Sequence, residues 1–358
     1  MSRQFQLRQA WTIAMLQLRR VFFARRSLWV YVLALFPTLA FFGHGLEVTI
    51  RRAEWADNIT PAASLSAIRE GALVESVIER AGTPMRDSTT DERILRNGER
   101  RPERRYLQYF DGRREYNLRF ADGVLDRNNQ RLIVDFAEDR MVYAGVFQYF
   151  YLRLAIFFGC LGIFMNLFRC EMLDETLHFW FLVPARRDVL LAGKYIAGLV
   201  AATVIFTAGA MLSFLVMMWP QEAAELASFW PSPALSHMFW YGASAALACV
   251  GYGSIFLAAG LLLRNPIIPA VVILFWENIN NFLPAMLQKL SVLHYVQALA
   301  PVPPPTDPGA PMLIQLLMAP AAPPSTLTAV LGLTALTALV LWAAAHAVRR
   351  LEINYSTD

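Results

Sequence analysis

The sequence predicts an all-α polytopic membrane protein with six transmembrane helices, and a small α+β extracytoplasmic domain between the first and second helices. Two observations predict this class. Of the 358 residues, 56% are hydrophobic and 17% are charged, whereas soluble domains carry about 25% charged residues. The apolar residues also cluster in runs of about 20, the length that an α-helix needs to cross the hydrocarbon core of a bilayer.

The chain begins with a basic segment, residues 1–26, that contains six arginines and no acid. Its imperfect helical periodicity predicts a cytoplasmic amphipathic helix at the membrane interface; alternatively, it extends the first span. The predicted apolar face contains Leu7, Trp11, Ala14, Leu18 and Phe22, and Ile13 falls on the polar face. No small-residue cleavage site follows the first apolar run, so the segment is not typical of a signal peptide. We expect it to stay inside and to orient the first span, residues 27–46.

Residues 47–145 form the predicted extracytoplasmic α+β domain, and positions 47–142 hold 17 arginines and 18 acids. Thr60-Pro61 is typical of a helix start, and Gly82 of a helix end. Three alternating apolar runs predict strands. These runs are Tyr106, Gln108, Phe110; Tyr116, Leu118, Phe120; and Leu132, Val134, Phe136, with Asp111-Gly112 and Asp122-Gly123 as turn signals between them.

The rest of the chain alternates between apolar spans and connecting segments. The spans are residues 146–168, 195–219, 238–263, 267–285 and 327–348; the connections are an inner loop at 169–194, an outer loop at 286–326 with re-entrant or interfacial helices, and a cytoplasmic tail at 349–358. Basic residues concentrate on the inner segments, which predicts a plasma-membrane protein with both termini cytoplasmic. Two lysines against 30 arginines indicate a GC-rich bacterial genome.

Several kinds of site are missing from the sequence. It has no G-x-x-x-x-G-K-[ST] phosphate loop, no H-E-x-x-H and no C-x-x-C. The five histidines are scattered without metal-ligand spacing, and the three cysteines are typical of small buried apolar residues. We therefore expect no catalytic residue, metal or cofactor on this chain, and no nucleic-acid partner.

The inner loop is the most informative segment. Glu171, Asp174 and Glu175 lie at i, i+3 and i+4, so a helix would place them on one acidic face. Such a helix can bind in a groove of a partner protein. It can equally lie on the membrane surface without a partner, and spacing alone does not decide between the two.

The same loop resembles the region after the second span in membrane subunits of ABC exporters of the ABC-two permease type. The matching positions are Glu171, Thr176-Leu177, Leu182-Val183-Pro184, Arg186-Arg187, Leu190-Leu191 and Gly193-Lys194. Two positions depart from the family pattern. Glu175 stands where the family usually has glycine, and His178 stands where an acid is common.

The resemblance implies a permease subunit that is not an enzyme by itself. It would form the substrate path with a second copy or a paralogue, among membrane lipids. Separate ABC ATPase subunits would carry the ATP and Mg. The loop would contain the coupling helix that meets the ATPase, and the coupling residues implied are Glu171, Asp174, Glu175, Thr176, Leu177, Arg186, Arg187 and Lys194.

The fifth predicted span contains polar residues that a bilayer disfavours. Glu277, Asn278 and Asn281, with Asn166 of the second span as a lesser candidate, could line the path or make a dimer contact. Alternatively, the helix ends early and leaves this cluster near the outer surface. Two other functions stay open: an ion-coupled secondary transporter that uses Glu277, and a membrane-anchored sensor or assembly protein that acts through the outer domain.

Overall fold

The computed structural model describes residues 3–23, 27–90, 93–94, 100–101, 103–173, 186–263, 267–280, 283–303 and 323–349. These residues are mostly helical, with one small four-stranded sheet. The chain divides into two compact units. The helical unit comprises Met1–Phe41, Arg140–Val216 and Leu226–Asp358, and the sheet unit comprises Phe42–Asp139 and Met217–Glu225.

The helices and strands follow one another in this order. They are α1 Arg3–Phe23, α2 Leu28–Trp55, α3 Ala62–Ser66, α4 Val74–Ala81, β1 Arg86–Thr90, β2 Arg93–Ile94, β3 Arg100–Arg101, β4 Arg104–Phe110, β5 Arg114–Ala121, β6 Val124–Leu132, α5 Phe136–Gly145, α6 Ile156–Leu173, α7 Arg187–Met218, α8 Ala223–Phe229, α9 Leu235–Leu262, α10 Ile267–Ile279, α11 Ala285–Gln288, α12 Val292–Leu299 and α13 Thr326–Arg349. Wider π-helical turns, Val146–Ala155 and Trp230–Ala234, join α5 to α6 and α8 to α9.

Five continuous helical stretches of the described chain are long and apolar enough to cross a membrane. They are Leu28–Asn58, Phe136–Leu167, Arg187–Met218, Ala223–Leu262 and Thr326–Arg349. These stretches support a multi-pass membrane protein and overlap the predicted first, second, third, fourth and sixth spans. A sixth span is not confirmed.

Within the fifth predicted span, 267–285, the described residues form a helix that is shorter than the predicted span. Its helix α10 has 13 residues, about 20 Å at 1.5 Å per residue, against a hydrocarbon core of about 30 Å. Pro284 then precedes the single turn of α11, and Ser291 caps α12. The described part of the predicted outer loop therefore contains short helices, and residues 304–322 lie outside the described residues.

Small residues bring the long helices of the helical unit close together. A Cβ on Gly209 of α7 would lie 2.5 Å from the carbonyl oxygen of Ala34 in α2. A Cβ on Gly260 of α9 would lie 2.9 Å from the Cα of Met165 in α6. Ser244, Ala248 and Gly251, small residues that recur at helical spacing, are all buried in α9. Without a hydrophobic driving force in lipid, such close contact is what stabilises helix pairs.

Buried hydroxyl groups join three segments of the same unit. Thr38 of α2 lies 2.7 Å from Ser213 of α7, and Tyr151 lies 2.7 Å from the same hydroxyl. Tyr151 also donates to the carbonyl of Ala34 at 2.7 Å. Each hydroxyl thus has a protein partner, as apolar surroundings require.

The sheet unit contains an antiparallel sheet in the order β1-β4-β5-β6. Its core consists of side chains from α3, α4 and one sheet face. The core residues are Leu65, Ile68, Val74, Val77, Ala81, Leu107, Tyr109, Tyr116, Leu118, Phe120 and Leu125. The predicted turn signals hold, because Asp122 and Gly123 both have positive φ in the two-residue β5–β6 turn.

Two local predictions for this unit are wrong. The predicted helix from Thr60 to Gly82 is divided into α3 and α4, with Gly71 at a positive φ of 87° between them. The third alternating run, 132–136, does not form a strand of its own, because β6 ends at Leu132 and α5 begins at Phe136. Asp135 accepts hydrogen bonds from the backbone N–H groups of Ala137 and Glu138 and so begins α5.

An ion pair joins the β4–β5 turn to the segment after α7 within the sheet unit. Arg113 donates to both carboxylate oxygens of Glu222, and Arg52 donates to the carbonyl of Pro220 at 2.8 Å. The hydrogen bond from Arg113 holds the pKa of the Glu222 carboxyl below its ordinary value. This contact is therefore present at neutral pH and is lost as the pH falls through that lowered pKa.

The N-terminal helix α1 packs through a different face from the predicted apolar one. Its buried residues are Ala10, Ile13, Ala14, Gln17 and Val21, and Leu7 and Trp11 are exposed. The sequence placed Ile13 on the polar face, whereas the structure buries it. The exposed apolar side chains still leave a surface that suits a membrane interface.

We expect Gly209→Ala to lower the midpoint of thermal unfolding of the detergent-purified protein by several degrees. The new Cβ meets backbone at 2.5 Å, and overpacking of this kind costs about 1–3 kcal/mol. Gly43→Ala is the matched control, because nothing lies within 4 Å of the added Cβ there. Equal midpoints for both variants would contradict close α2–α7 packing.

Candidate functional site

The residues with a predicted coupling role divide into two groups. Asp174, Glu175, Thr176 and Leu177 lie outside the described residues. The backbone of Glu171 belongs to the last turn of α6. Arg186, Arg187 and Lys194 are described, and they lie at or near the beginning of α7. This end of α7, with its contacts to α1, α6 and α13, is called the junction here.

The first contact of the junction joins α7 to the end of α13. Arg187 donates to the carbonyls of Val348 and Arg349, at 3.2 and 3.3 Å. These carbonyls belong to the last turn of α13, where helix carbonyls lack intrahelical donors and the helix dipole favours a cation. Arg187 thus caps a helix that begins 139 residues after it in the chain.

A second contact joins the same two helices through charge. Arg349 donates through Nε and Nη2 to the two carboxylate oxygens of Asp188, both at 2.8 Å. Arg186 also donates to Asp188, at 3.2 Å. The planar guanidinium and the carboxylate form the bidentate pair that fixes orientation best. Asp188 therefore lies between two arginines, one from each side of the junction.

Lys194 makes the third contact and is completely buried. Its ammonium group donates to the carbonyl of Leu167, in the last two turns of α6. A lysine without exposure is rare, because burial removes the hydration of the charge. The bond to a backbone carbonyl offsets part of that cost and joins α7 to α6 at the two ends of the inner loop.

The fourth contact brings α1 against α7. A Cβ on Gly193 would lie 2.8 Å from the carbonyl oxygen of Ala10 and 2.8 Å from the side chain of Ile13. A side chain at this position would separate the helices, so the glycine permits the contact. The Gly193-Lys194 pair of the family motif thus places one residue against α1 and the next against α6.

The buried carboxylate of Glu277 binds the beginning of α12. Its two oxygens accept hydrogen bonds from the N–H groups of Val292 and Leu293, at 3.0 and 3.3 Å, and from the hydroxyl of Ser291. Glu277 is 6% exposed and Ser291 is fully buried. The N-terminus of a helix favours an anion, so Glu277 holds α12 against α10.

Asn278 and Asn166, the other described residues of the predicted polar cluster, bond within their own helices. Asn278 is exposed and donates to the carbonyl of Leu274 in its own helix, at 2.7 Å. Asn281 lies outside the described residues. Asn166 is exposed and donates to Gly162 within its own helix, at 2.6 Å. These contacts favour the alternative in which the helix ends early and Glu277 has a structural role.

Sequence reasoning missed Ser291, Asp188 and Arg349. Ser291 precedes an apolar helical run and accepts from the N–H of His294, a helix-start signal that the sequence does contain. The Asp188–Arg349 pair has no local signal, because 161 residues separate its members. Among the described residues there is no group of three potential metal ligands, and the free cysteines Cys160 and Cys249 are buried.

We expect that exchanging the charges of Asp188 and Arg349 restores the stability that each single charge reversal removes. Asp188→Arg places a fourth positive charge beside Arg186, Arg187 and Arg349, and Arg349→Asp places two acids together. Each single reversal should lower the midpoint of thermal unfolding, and the double exchange should recover most of that loss. Glu47→Arg, which breaks the exposed pair with Arg51, is the control and should change little.

For the buried carboxylate, we expect Glu277→Ala to destabilise the purified protein by about 3 kcal/mol, and Ser291→Ala by less. The alanine leaves two backbone N–H groups and a hydroxyl without their acceptor, and each unsatisfied buried group costs about 1–3 kcal/mol. Asn278→Ala, one position along on the exposed side, should be neutral. Thermal unfolding followed by tryptophan fluorescence measures all three, and a neutral Glu277→Ala would refute the structural role.

Comparison with protein-family models, with curated proteins and with solved structures gives no match for this chain. The resemblance to ABC-two permeases therefore depends on the loop motif and on the order of predicted spans. The junction contacts of Arg187, Gly193 and Lys194 are the structural observations that bear on that motif.

Proposed function

We propose that this chain is the permease subunit of an ATP-driven ABC exporter in a bacterial plasma membrane. It is not an enzyme by itself. A second copy or a paralogue completes the substrate path, and separate ATPase subunits bind ATP and Mg. The inner loop between α6 and α7 is the element that meets the ATPase on the cytoplasmic side.

The observation that carries this proposal is the junction. A connector between two membrane helices needs no fixed attachment to other helices. Here three residues of the motif contact three other helices: Arg187 donates to α13, Lys194 donates to α6, and Gly193 packs closely against α1. A loop that receives a mechanical input needs this kind of fixed attachment, because a freely pivoting helix end would absorb the movement.

The contacts give a route for coupling. ATP binding closes the ATPase pair and displaces the loop that contains Glu171, Asp174 and Glu175. The displacement reaches the beginning of α7, where Lys194 joins it to α6 and Arg187 with Asp188 joins it to α13. Three helices then move together, which alters the substrate path at the dimer interface. Such rigid-body shifts of packed helices are the usual form of this transition.

The ion-coupled alternative requires Glu277 to gain and lose a proton or ion during transport. Its carboxylate instead accepts three hydrogen bonds from Ser291 and the start of α12. Intramembrane coupling sites also usually contain several ionisable groups. The fixed acceptor role favours the exporter, in which Glu277 positions a short helix.

The sensor alternative keeps one supporting observation, the separate compact sheet unit.

The deciding experiment is purification of the tagged full-length chain from its native host in mild detergent, with mass spectrometry of the copurifying proteins. We expect a stoichiometric P-loop ATPase, and we expect its loss when Glu171, Asp174 and Glu175 are changed together to lysine. The three substitutions change the net charge of the proposed docking face by +6, which should abolish a contact with a basic surface of the ATPase.

The matched control changes Glu70, Glu75 and Glu79 to lysine. These three exposed acids belong to the sheet unit, so the net charge changes equally while the loop is untouched. This variant should retain the ATPase. Absence of any ATPase from the unaltered chain, or equal loss from both triple variants, would overturn the proposal.

A further inference from the structure

The two faces of the sheet in the sheet unit differ in chemistry. One face packs on α3 and α4. Side chains alternate along a strand, so the register places the remaining residues on the other face. Its cross-strand rows are Arg86, Gln108, Asn117, Asn129; Ser88, Tyr106, Arg119, Arg127; Thr90, Arg104, Ala121, Val124; and Phe110, Glu115, Arg131, of which Phe110 is buried. This surface is called the polar face.

The polar face carries an excess of arginine. Two acids accompany these arginines. Asp126, the extra residue at the β5–β6 register shift, forms an ion pair with Arg119. Glu115 accepts from the amides of Gln108 and Asn117, both at 2.7 Å. Within the described part of the chain, no carboxylate forms an ion pair with the other arginines of the face. These are Arg86, Arg104, Arg127 and Arg131.

Neutral polar groups accompany these charges. Gln108, Asn117 and Asn129 form one row across three neighbouring strands, and side-chain amides both donate and accept hydrogen bonds. Tyr106 lies beside this row and is 39% exposed. Cations for acidic groups, amides for hydroxyls and an aromatic ring for a sugar face are the groups that a charged saccharide requires.

We propose that the polar face binds an acidic polysaccharide. Arg104, Arg127 and Arg131 pair with its carboxylates, and the amide row with Tyr106 binds its rings and hydroxyls. Residues rise about 3.4 Å along a strand, so Arg127 and Arg131, four residues apart on β6, are separated by about 14 Å. The charges are thus spread over a flat surface, which suits an extended polymer better than a single small anion.

The same observations disfavour two other polyanions. A surface that docks on anionic lipid inserts apolar side chains into the bilayer, and the large apolar groups exposed on the polar face are only Tyr106 and Val124. Sites for single-stranded nucleic acid stack successive bases on several aromatic rings, whereas Tyr106 is the one exposed ring among the residues of this face. The inference does not depend on the proposed exporter function.

The test measures binding to the full-length chain in nanodiscs of neutral phosphatidylcholine. The probe is fluorescently labelled polygalacturonate oligosaccharide, followed by fluorescence anisotropy. Neutral dextran oligosaccharide measures how much binding an uncharged saccharide shows. Oligo(dT) of equal charge measures how much binding negative charge alone produces. Adding phosphatidylglycerol to the nanodiscs tests whether anionic lipid competes for the face.

The test variant replaces Arg104, Arg127 and Arg131 by glutamine. The matched control replaces Arg69, Arg80 and Arg114, three exposed arginines of the same unit that do not lie on the polar face. We expect the test variant to weaken polygalacturonate binding by about tenfold or more, because three exposed charge pairs of ordinary strength together give about that factor. The control should change it less than about twofold.

Three results would overturn the proposal: no binding of polygalacturonate to the unaltered chain, equal weakening in both variants, or oligo(dT) binding as tightly as polygalacturonate. Full competition by phosphatidylglycerol would also overturn it, in favour of a lipid-docking face. Selective binding of polygalacturonate over oligo(dT), lost in the test variant alone, would support it. Copurification of an ATPase is a separate readout, so failure here leaves the exporter proposal unaffected.

Discussion

In a bilayer, a buried polar group must find its partner within the protein, and the helical unit depends on this constraint. Three of its charged side chains bind the backbone of neighbouring helices. Lys194 donates to the carbonyl of Leu167, and Arg187 donates to the last turn of α13. Glu277 accepts from the first N–H groups of α12. Each charge lies where backbone groups of the complementary polarity are available.

These bonds explain why short helices persist in the helical unit. An isolated helix of eight residues, such as α12, is not stable by propensity. It is retained here because Glu277 and Ser291 bind its beginning while five of its side chains are buried. The sheet unit uses the other solution, an apolar core between two helices and a sheet, with its charges on the surface.

The sequence predicted the features that depend on local pattern and missed those that depend on distant partners. Runs of apolar residues placed five long helices, and Asp122-Gly123 placed a hairpin turn. The alternation at 132–136 failed because Asp135 begins a helix instead. Glu277 was recognised as costly in lipid, but its partner Ser291 lies 14 residues away across a change of direction. Neither Asp188 nor Arg349 has a neighbour in sequence that reveals the pair.

A contribution to folding stability does not by itself explain why Lys194 is buried. Replacing a buried charge by an apolar side chain of similar length is often neutral or stabilising, so packing alone does not require a lysine at this position. A bond between the ammonium and the Leu167 carbonyl gives something that an apolar contact lacks, a fixed register between α6 and α7. Fixed register matters most where one helix must follow another, as the proposed coupling requires at the two ends of the inner loop.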